Sequence, residues 1–160
     1  MTAPTLSRLD GKIVTLFGGG GFLGRHTAQA FMQAGARVRI VQRHPEKAFN
    51  VRALGNLGQT QFVSADAAVA EHALKAAIGS DIVINLVGIL KGDFDRVHVD
   101  AARNIARAAH AAGARLIHIS ALGAGDDSPS AYGRSKAAGE AAVRAVVPEA
   151  TVLRPSIMFG

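Results

Sequence analysis

Tyr132 and Lys136 stand four residues apart in the stretch YGRSK, and Tyr132 is the chain's only tyrosine. On a helix, positions i and i+4 share a face. An ammonium beside a phenol favours the phenolate, so the pair is suited to exchange a proton with a carbonyl or an alcohol. The plain alternative is a surface pair on a helix. Ser120 closes the apolar run RLIHIS and could supply a third hydroxyl, or it could bond only the backbone at the strand end; Ala121 follows it.

A second constellation lies in FGGGGFLGRH, residues 17–26, where Gly18, Gly21 and Gly24 form G-x-x-G-x-x-G between an apolar run and a helical pattern. The first glycine permits a sharp turn, the middle one lets main chain approach a pyrophosphate, and the last lets helix and strand pack closely. Phe22 and Leu23 fill the turn, whose N–H groups and helix dipole then face phosphate oxygens. Gly19 and Gly20 are read as permissive only. A flexible turn is the bland alternative, but the position after a first strand favours a dinucleotide.

The end of the second strand indicates which dinucleotide. An NAD site places Asp or Glu there to bond the ribose hydroxyls. This chain has RIVQRHPEK, with Gln42 and Arg43 in that place. A carboxylate repels a 2′-phosphate and an arginine grips one, so NADP(H) is favoured over NAD(H). Arg25 and Arg39 could assist, but each is read first as an ordinary solvated or helix-surface arginine. Asp66, closing VSAD, has two uses that the sequence leaves open: meeting the adenine amino group, or capping the helix that follows. NLVG brings Leu86, Val87 and Gly88 to the end of the fourth strand, with Gly88 placed to let main chain pass beneath the nicotinamide ribose. Lys136 is also placed to hold that ribose.

Elements must carry these residues to one place. Apolar, β-branched runs occur at 12–17, 37–42, 61–64, 81–87, 115–120 and 151–154. Helical patterns separate them: a Leu23, Thr27, Ala30, Phe31, Ala34 stripe stopped by Gly35, an Ala-rich stretch from Phe94 to Ala112, and a long one from Ser130 to Val147 ended by Pro148. Asp93 and Asp95 suit the start of the second, and Ser128 or Ser130 a cap for the last. Alternating β and α with strands buried on both faces predicts an α/β, Rossmann-type doubly wound parallel sheet of about six strands. Ligands of such sheets collect at the carboxyl ends of the strands.

The composition bounds the rest. The 160 residues suit one dinucleotide-binding domain over 1–160, and 49% hydrophobic content supports a core. Without cysteine there is no disulfide framework and no thiolate metal site. His26, His44, His72, His98, His110 and His118 lack ligand spacing, so no metal is expected. The net charge of +6 is spread along the chain, with one Tyr and no Trp to stack bases. Nucleic acid is therefore a poor partner, and an anionic cofactor, acidic partner or anionic lipid a better one. No run approaches a membrane span and the start lacks a secretory signal, so a cytoplasmic location is the expectation.

VTLFGGGGFLGRH, NLVG, HISALGA, YGRSKAAGE and VLRPSIMFG together resemble the extended or atypical short-chain dehydrogenase/reductases of the NAD-dependent epimerase/dehydratase group, over 12–160. Within that group the Arg-bearing second strand, HISALGA and LRPSIMFG are most similar to the dehydrogenase-like accessory subunit of respiratory complex I and its bacterial relatives. That resemblance implies tightly held NADPH, complex I subunits as partners, a peripheral place at the inner face of the cytoplasmic membrane, and an assembly or stability role without established turnover. Two departures stand out. Active members end strand five in Ser-Ser or Ser-Thr, whereas this chain has Ser120-Ala121, which puts a working Ser120-Tyr132-Lys136 triad in question. Extended members also carry a further C-terminal substrate portion, so 1–160 reads as an N-terminal fragment of a longer chain. Two other functions stay open: an active NAD(P)-dependent reductase, epimerase or dehydratase using Tyr132 and Lys136, and a nucleotide-sensing or nucleic-acid-binding module.

Overall fold

A computed structural model describes residues 9–159. Six strands, β1 (Ile13–Phe17), β2 (Arg37–Gln42), β3 (Thr60–Ser64), β4 (Ile82–Asn85), β5 (Arg115–Ile119) and β6 (Thr151–Leu153), form one sheet in the order β3-β2-β1-β4-β5-β6. Every adjacent pair is parallel. This is the doubly wound Rossmann arrangement, and the order reverses between β1 and β4.

The strands read as apolar runs because both faces of the sheet are covered. Val14 and Leu16 of β1 face α1 (Phe22–Gln33), where they meet Ala28, Met32, Ile40 and Ile84, with Ala48 and Val51 from a 3₁₀ segment over Pro45–Leu54. Phe17, Val41, Val83 and Leu116 belong to the opposite core, against α2 (Ala70–Ala77), α3 (Ala101–Ala111) and Val143 of α4 (Ala131–Arg144). The small side chains of α3, among them Ala102, Ala106 and Ala109, let it lie close to the sheet. The one buried hydroxyl of β1, Thr15, is satisfied by Ser80 at 2.6 Å.

Several elements differ from their sequence expectation. The helix expected from Phe94 opens as a π-helical segment, Asp95–Asp100, and becomes α-helical only at Ala101. Asp93 accepts the Arg96 N–H at its head, at 3.0 Å. Gly139 of α4 faces this segment, and a Cβ there would run into the His98 carbonyl. Strand four ends at Asn85, so Leu86 to Gly88 are loop. Ser130 is the N-cap of α4, accepting from the Gly133 N–H at 2.9 Å. Arg39 is no surface arginine: its guanidinium donates to the Ala76 and Ile78 carbonyls at 2.7 and 2.8 Å, closing the C-terminus of α2.

Candidate functional site

The carboxyl ends of β1, β4, β5 and β6 open onto a cleft of about 1040 Å³. Its lining brings together Gly18, Gly21, Phe22, Leu23, Gly24, Leu86, Val87, Gly88, Ser120, Tyr132 and Lys136, from stretches more than a hundred residues apart. Arg43 and Asp66 are not among its lining residues.

The glycine turn is shaped by three different steric demands. Gly18 has φ +81°, and a Cβ there would sit 3.1 Å from the Leu86 main chain, so a bare residue lets the turn lie against the end of β4. Gly24 lies against the turn's own Gly18–Gly19 backbone, where a Cβ finds no room. That replaces the expected helix-to-strand contact. Gly21 caps α1 with φ −73°, and a Cβ there would meet only the Gly18 oxygen, at 3.4 Å. Nothing in the fold itself keeps Gly21 bare, while the cleft it lines lies in front of it.

Gly19 and Gly20 are more than permissive. A Cβ on Gly19 would come within 2.9 Å of Ile40 and Leu16, and one on Gly20 within 2.5 Å of Ala48. Gln42 explains part of this crowding: its carboxamide accepts the Gly20 N–H at 3.0 Å and donates to the His44 carbonyl at 2.7 Å. A carboxylate at that place could accept but not donate. Arg43, next in the chain, is exposed.

Asp66 is engaged within the protein. It accepts the Ala68 N–H at 2.9 Å and pairs with Arg96 at 2.5 Å. Burial alone raises its pKa, but the Ala68 and Arg96 bonds outweigh that and hold it below the usual carboxylate value. The helix begins only at Ala70 with Val69 as N-cap, so of its two possible uses capping is not the one seen, and Asp66 closes the turn ahead of the helix.

The opposite wall is polar and buried. Lys136 is 4% exposed and its ammonium donates to the Ile119 carbonyl at 2.9 Å. Burial pulls its pKa down to about 8, against a partial opposing pull from Glu140. Glu140 in turn takes both arms of the Arg154 guanidinium, at 2.8 and 2.7 Å, tying α4 to the residue after β6. Asn85 accepts the Val87 N–H at 3.0 Å and so must donate to His118 Nδ1, also at 3.0 Å. Burial, followed by the Lys136 charge, lowers His118 to about 4. His118 Nε2 is buried and bonded to no protein group, and the buried Ser120 hydroxyl lies close enough to the Glu140 carboxylate to help lower its pKa. The sequence pattern points to neither Asn85 nor His118 as a partner here, yet both hold this wall. A histidine in the second turn of the segment after strand four, four residues past Phe94, was the available signal for His98.

The arrangement fits a dinucleotide. Gly18 to Gly24 form a main-chain cradle at the N-terminus of α1, where amides and dipole suit a diphosphate. Lys136 and Tyr132 lie toward the β4–β5 side, with the ammonium already aimed along the strand ends. A phenol and an ammonium on one wall are groups that could exchange a proton with a carbonyl or alcohol brought into the cleft. Among the described residues, no group of three or more His, Asp or Glu side chains is placed to hold a metal ion.

Comparison with known proteins agrees with this geometry. The chain is 41% identical over 160 residues to the mitochondrial NADH dehydrogenase (ubiquinone) 1 alpha subcomplex subunit 9 of Mus musculus, covering 96% of this chain and 42% of that protein. It is 38% identical over 159 residues to the protein of the same name in Dictyostelium discoideum, covering 96% and 44%. It is 40% identical over 153 residues to a ceramide reductase of Caulobacter vibrioides, covering 92% and 47%. The chain thus spans less than half the length of these relatives. A family described as NAD(P)H-binding matches residues 18–158, and with the glycine cradle, the strand order and the cleft all in place, the chain belongs to that family.

Proposed function

We propose that this protein binds NADP(H) as an accessory subunit of an NADH:quinone oxidoreductase, stabilising or helping to assemble that enzyme with little turnover of its own. The observation that carries the reading is the site's split character: a complete main-chain cradle for a diphosphate beside a catalytic wall whose second strand-end hydroxyl is the methyl of Ala121. Gln42 and Arg43 in place of an acid support the 2′-phosphorylated cofactor. Relatives named as complex I subunits support the partner. Among the described residues no helix is long and apolar enough to cross a membrane, and a peripheral place on the enzyme is part of this proposal. Gly18, Gly21, Phe22, Leu23, Gly24, Leu86, Val87, Gly88 and Lys136 are the cofactor contacts in this reading. Arg43 and Asp66 join them only by reaching in from the rim.

The test is gentle isolation of the full-length protein followed by mass identification of any retained nucleotide and of co-isolated proteins. NADPH together with quinone-oxidoreductase subunits is the expected result. A dinucleotide without the 2′-phosphate overturns the cofactor choice, and a folded protein with no nucleotide overturns the reading.

A second reading has its own observation: Tyr132 and Lys136 line the same cleft, and one relative is named as a reductase. In that case the protein reduces a carbonyl, with Tyr132 donating the proton. NADPH oxidation that depends on an added carbonyl and disappears in Tyr132→Phe would establish it.

A further inference from the structure

His98 is 2% exposed and joins the loop after β4 to α4. Its ring is bonded at both nitrogens. Nε2 accepts the N–H of Ile89, in the loop after β4, at 3.0 Å. Nδ1 lies 2.8 Å from the Ser135 hydroxyl, and that hydroxyl donates to the Tyr132 carbonyl at 2.8 Å. An amide can only donate, so Nε2 must be bare and Nδ1 must carry the proton. The four groups then form one directional run: Ile89 N–H to Nε2, Nδ1–H to Ser135 Oγ, Oγ–H to the Tyr132 carbonyl. Aromatic contacts hold the ring in that orientation, with Phe94 stacked at 5.2 Å and Tyr132 edge-on at 5.5 Å.

We propose that His98 is a positioning residue for the nicotinamide half of the site: as the neutral Nδ1–H tautomer it fastens the main chain after β4 to the first turn of α4, so that the Gly88–Ile89 loop and Tyr132 keep a fixed separation. This rests on the dinucleotide reading above. Gly88 is the residue set against the ring, where a Cβ would lie 3.7 Å from Nε2. The imidazole suits the task because its acceptor and donor are held at a fixed angle with no torsion between them. The titratable groups facing it are Lys136 and Tyr132 from α4 and His118 from β5, with Asp95 and Asp100 on its own segment. Burial, and after it the Lys136 charge, lowers His98 to about 4, which keeps Nε2 bare at neutral pH. A proton added to Nε2 would set a donor against the Ile89 donor.

The experiment uses the full-length protein and two probes in calorimetry. One is NADPH; the other is adenosine 2′,5′-bisphosphate, which carries the adenine and 2′-phosphate but no nicotinamide. His98→Leu is expected to weaken NADPH about tenfold, as loss of buried hydrogen bonds should, while binding the bisphosphate as wild type does. His98→Gln offers an acceptor and a donor on one side chain and is expected to regain most of that affinity. Nitrogen NMR of the wild-type ring at pH 7 should show Nδ1 protonated and Nε2 bare. Equal weakening of both probes in His98→Leu, unchanged NADPH affinity, or a protonated Nε2 overturns the proposal. Should His98→Leu fail to fold, the tautomer and the His98→Gln affinity decide the matter. A wild-type protein that binds neither 2′-phosphorylated probe refutes the NADP(H) reading itself; one that binds both, with His98→Leu equal to it, refutes only the role of His98.

Discussion

From Gly18 to Gly24 the cleft is walled by main chain and two apolar side chains, with no ionisable group in the stretch. Across from it, α4, β5 and the π-helical segment hold Lys136, Glu140, His118 and His98, each under 10% exposed. The first wall is fixed by volume: atoms of Leu16, Ile40, Ala48 and Leu86 stand where side chains would otherwise go. The second is fixed by direction, through bonds whose donors and acceptors must match. One wall therefore answers to added bulk and the other to added protons.

Bulk gives the largest effects. Gly24→Val drives a side chain into the Gly18–Gly19 backbone and should cost about 3 kcal/mol of stability, read by denaturant melts. Gly21→Val is the informative contrast, because its backbone and surroundings accept a side chain. It should melt like the wild type yet bind dinucleotide about a hundredfold more weakly, as expected when a ligand meets a filled space. Unchanged affinity in that folded variant would break the distinction between the two glycines. Arg43→Ala should be milder, lowering the preference for NADPH over NADH about tenfold while leaving NADH binding alone.

Protons act on the polar wall instead. Burial lowers His98 and His118 to about 4, against 6.5 when unfolded. Between those values the unfolded chain binds more protons, so stability rises with pH and is lost as pH falls through the window. The melting temperature should drop by on the order of ten degrees from pH 7 to pH 4.5, and by less in His98→Gln. The glycine wall has nothing to titrate there, so a pH-independent melting temperature would erase the contrast between the walls.

How much of this was legible in the sequence follows the same division. Demands expressed within a few residues were readable: the spacing of Gly18, Gly21 and Gly24, the Tyr132–Lys136 pair, and the period of each strand and helix. The six-strand α/β alternation came through for that reason. What escaped depends on register between distant segments. Asn85 meets His118 because β4 and β5 align them side by side, and nothing local to either residue announces it. Gly19 and Gly20 looked free because the atoms that exclude a side chain come from the sheet and from Ala48. Arg39 looked solvated because the carbonyls it caps lie some forty residues later. The π-helical opening of the 95–111 helix likewise accompanies a contact with α4, where Gly139 receives the His98 carbonyl.

The reversal of strand order between β1 and β4 has a consequence for how the protein comes to exist. Ile13 and Asp81, bonded across that seam at 2.9 Å, are separated by 68 positions in sequence, so joining them closes a long loop against chain entropy. The seam is therefore a slow joint in assembly compared with the neighbouring β1–β2 pairing. The cleft straddles it, and a nucleotide seated there would act as a clasp on the joint that takes longest to form.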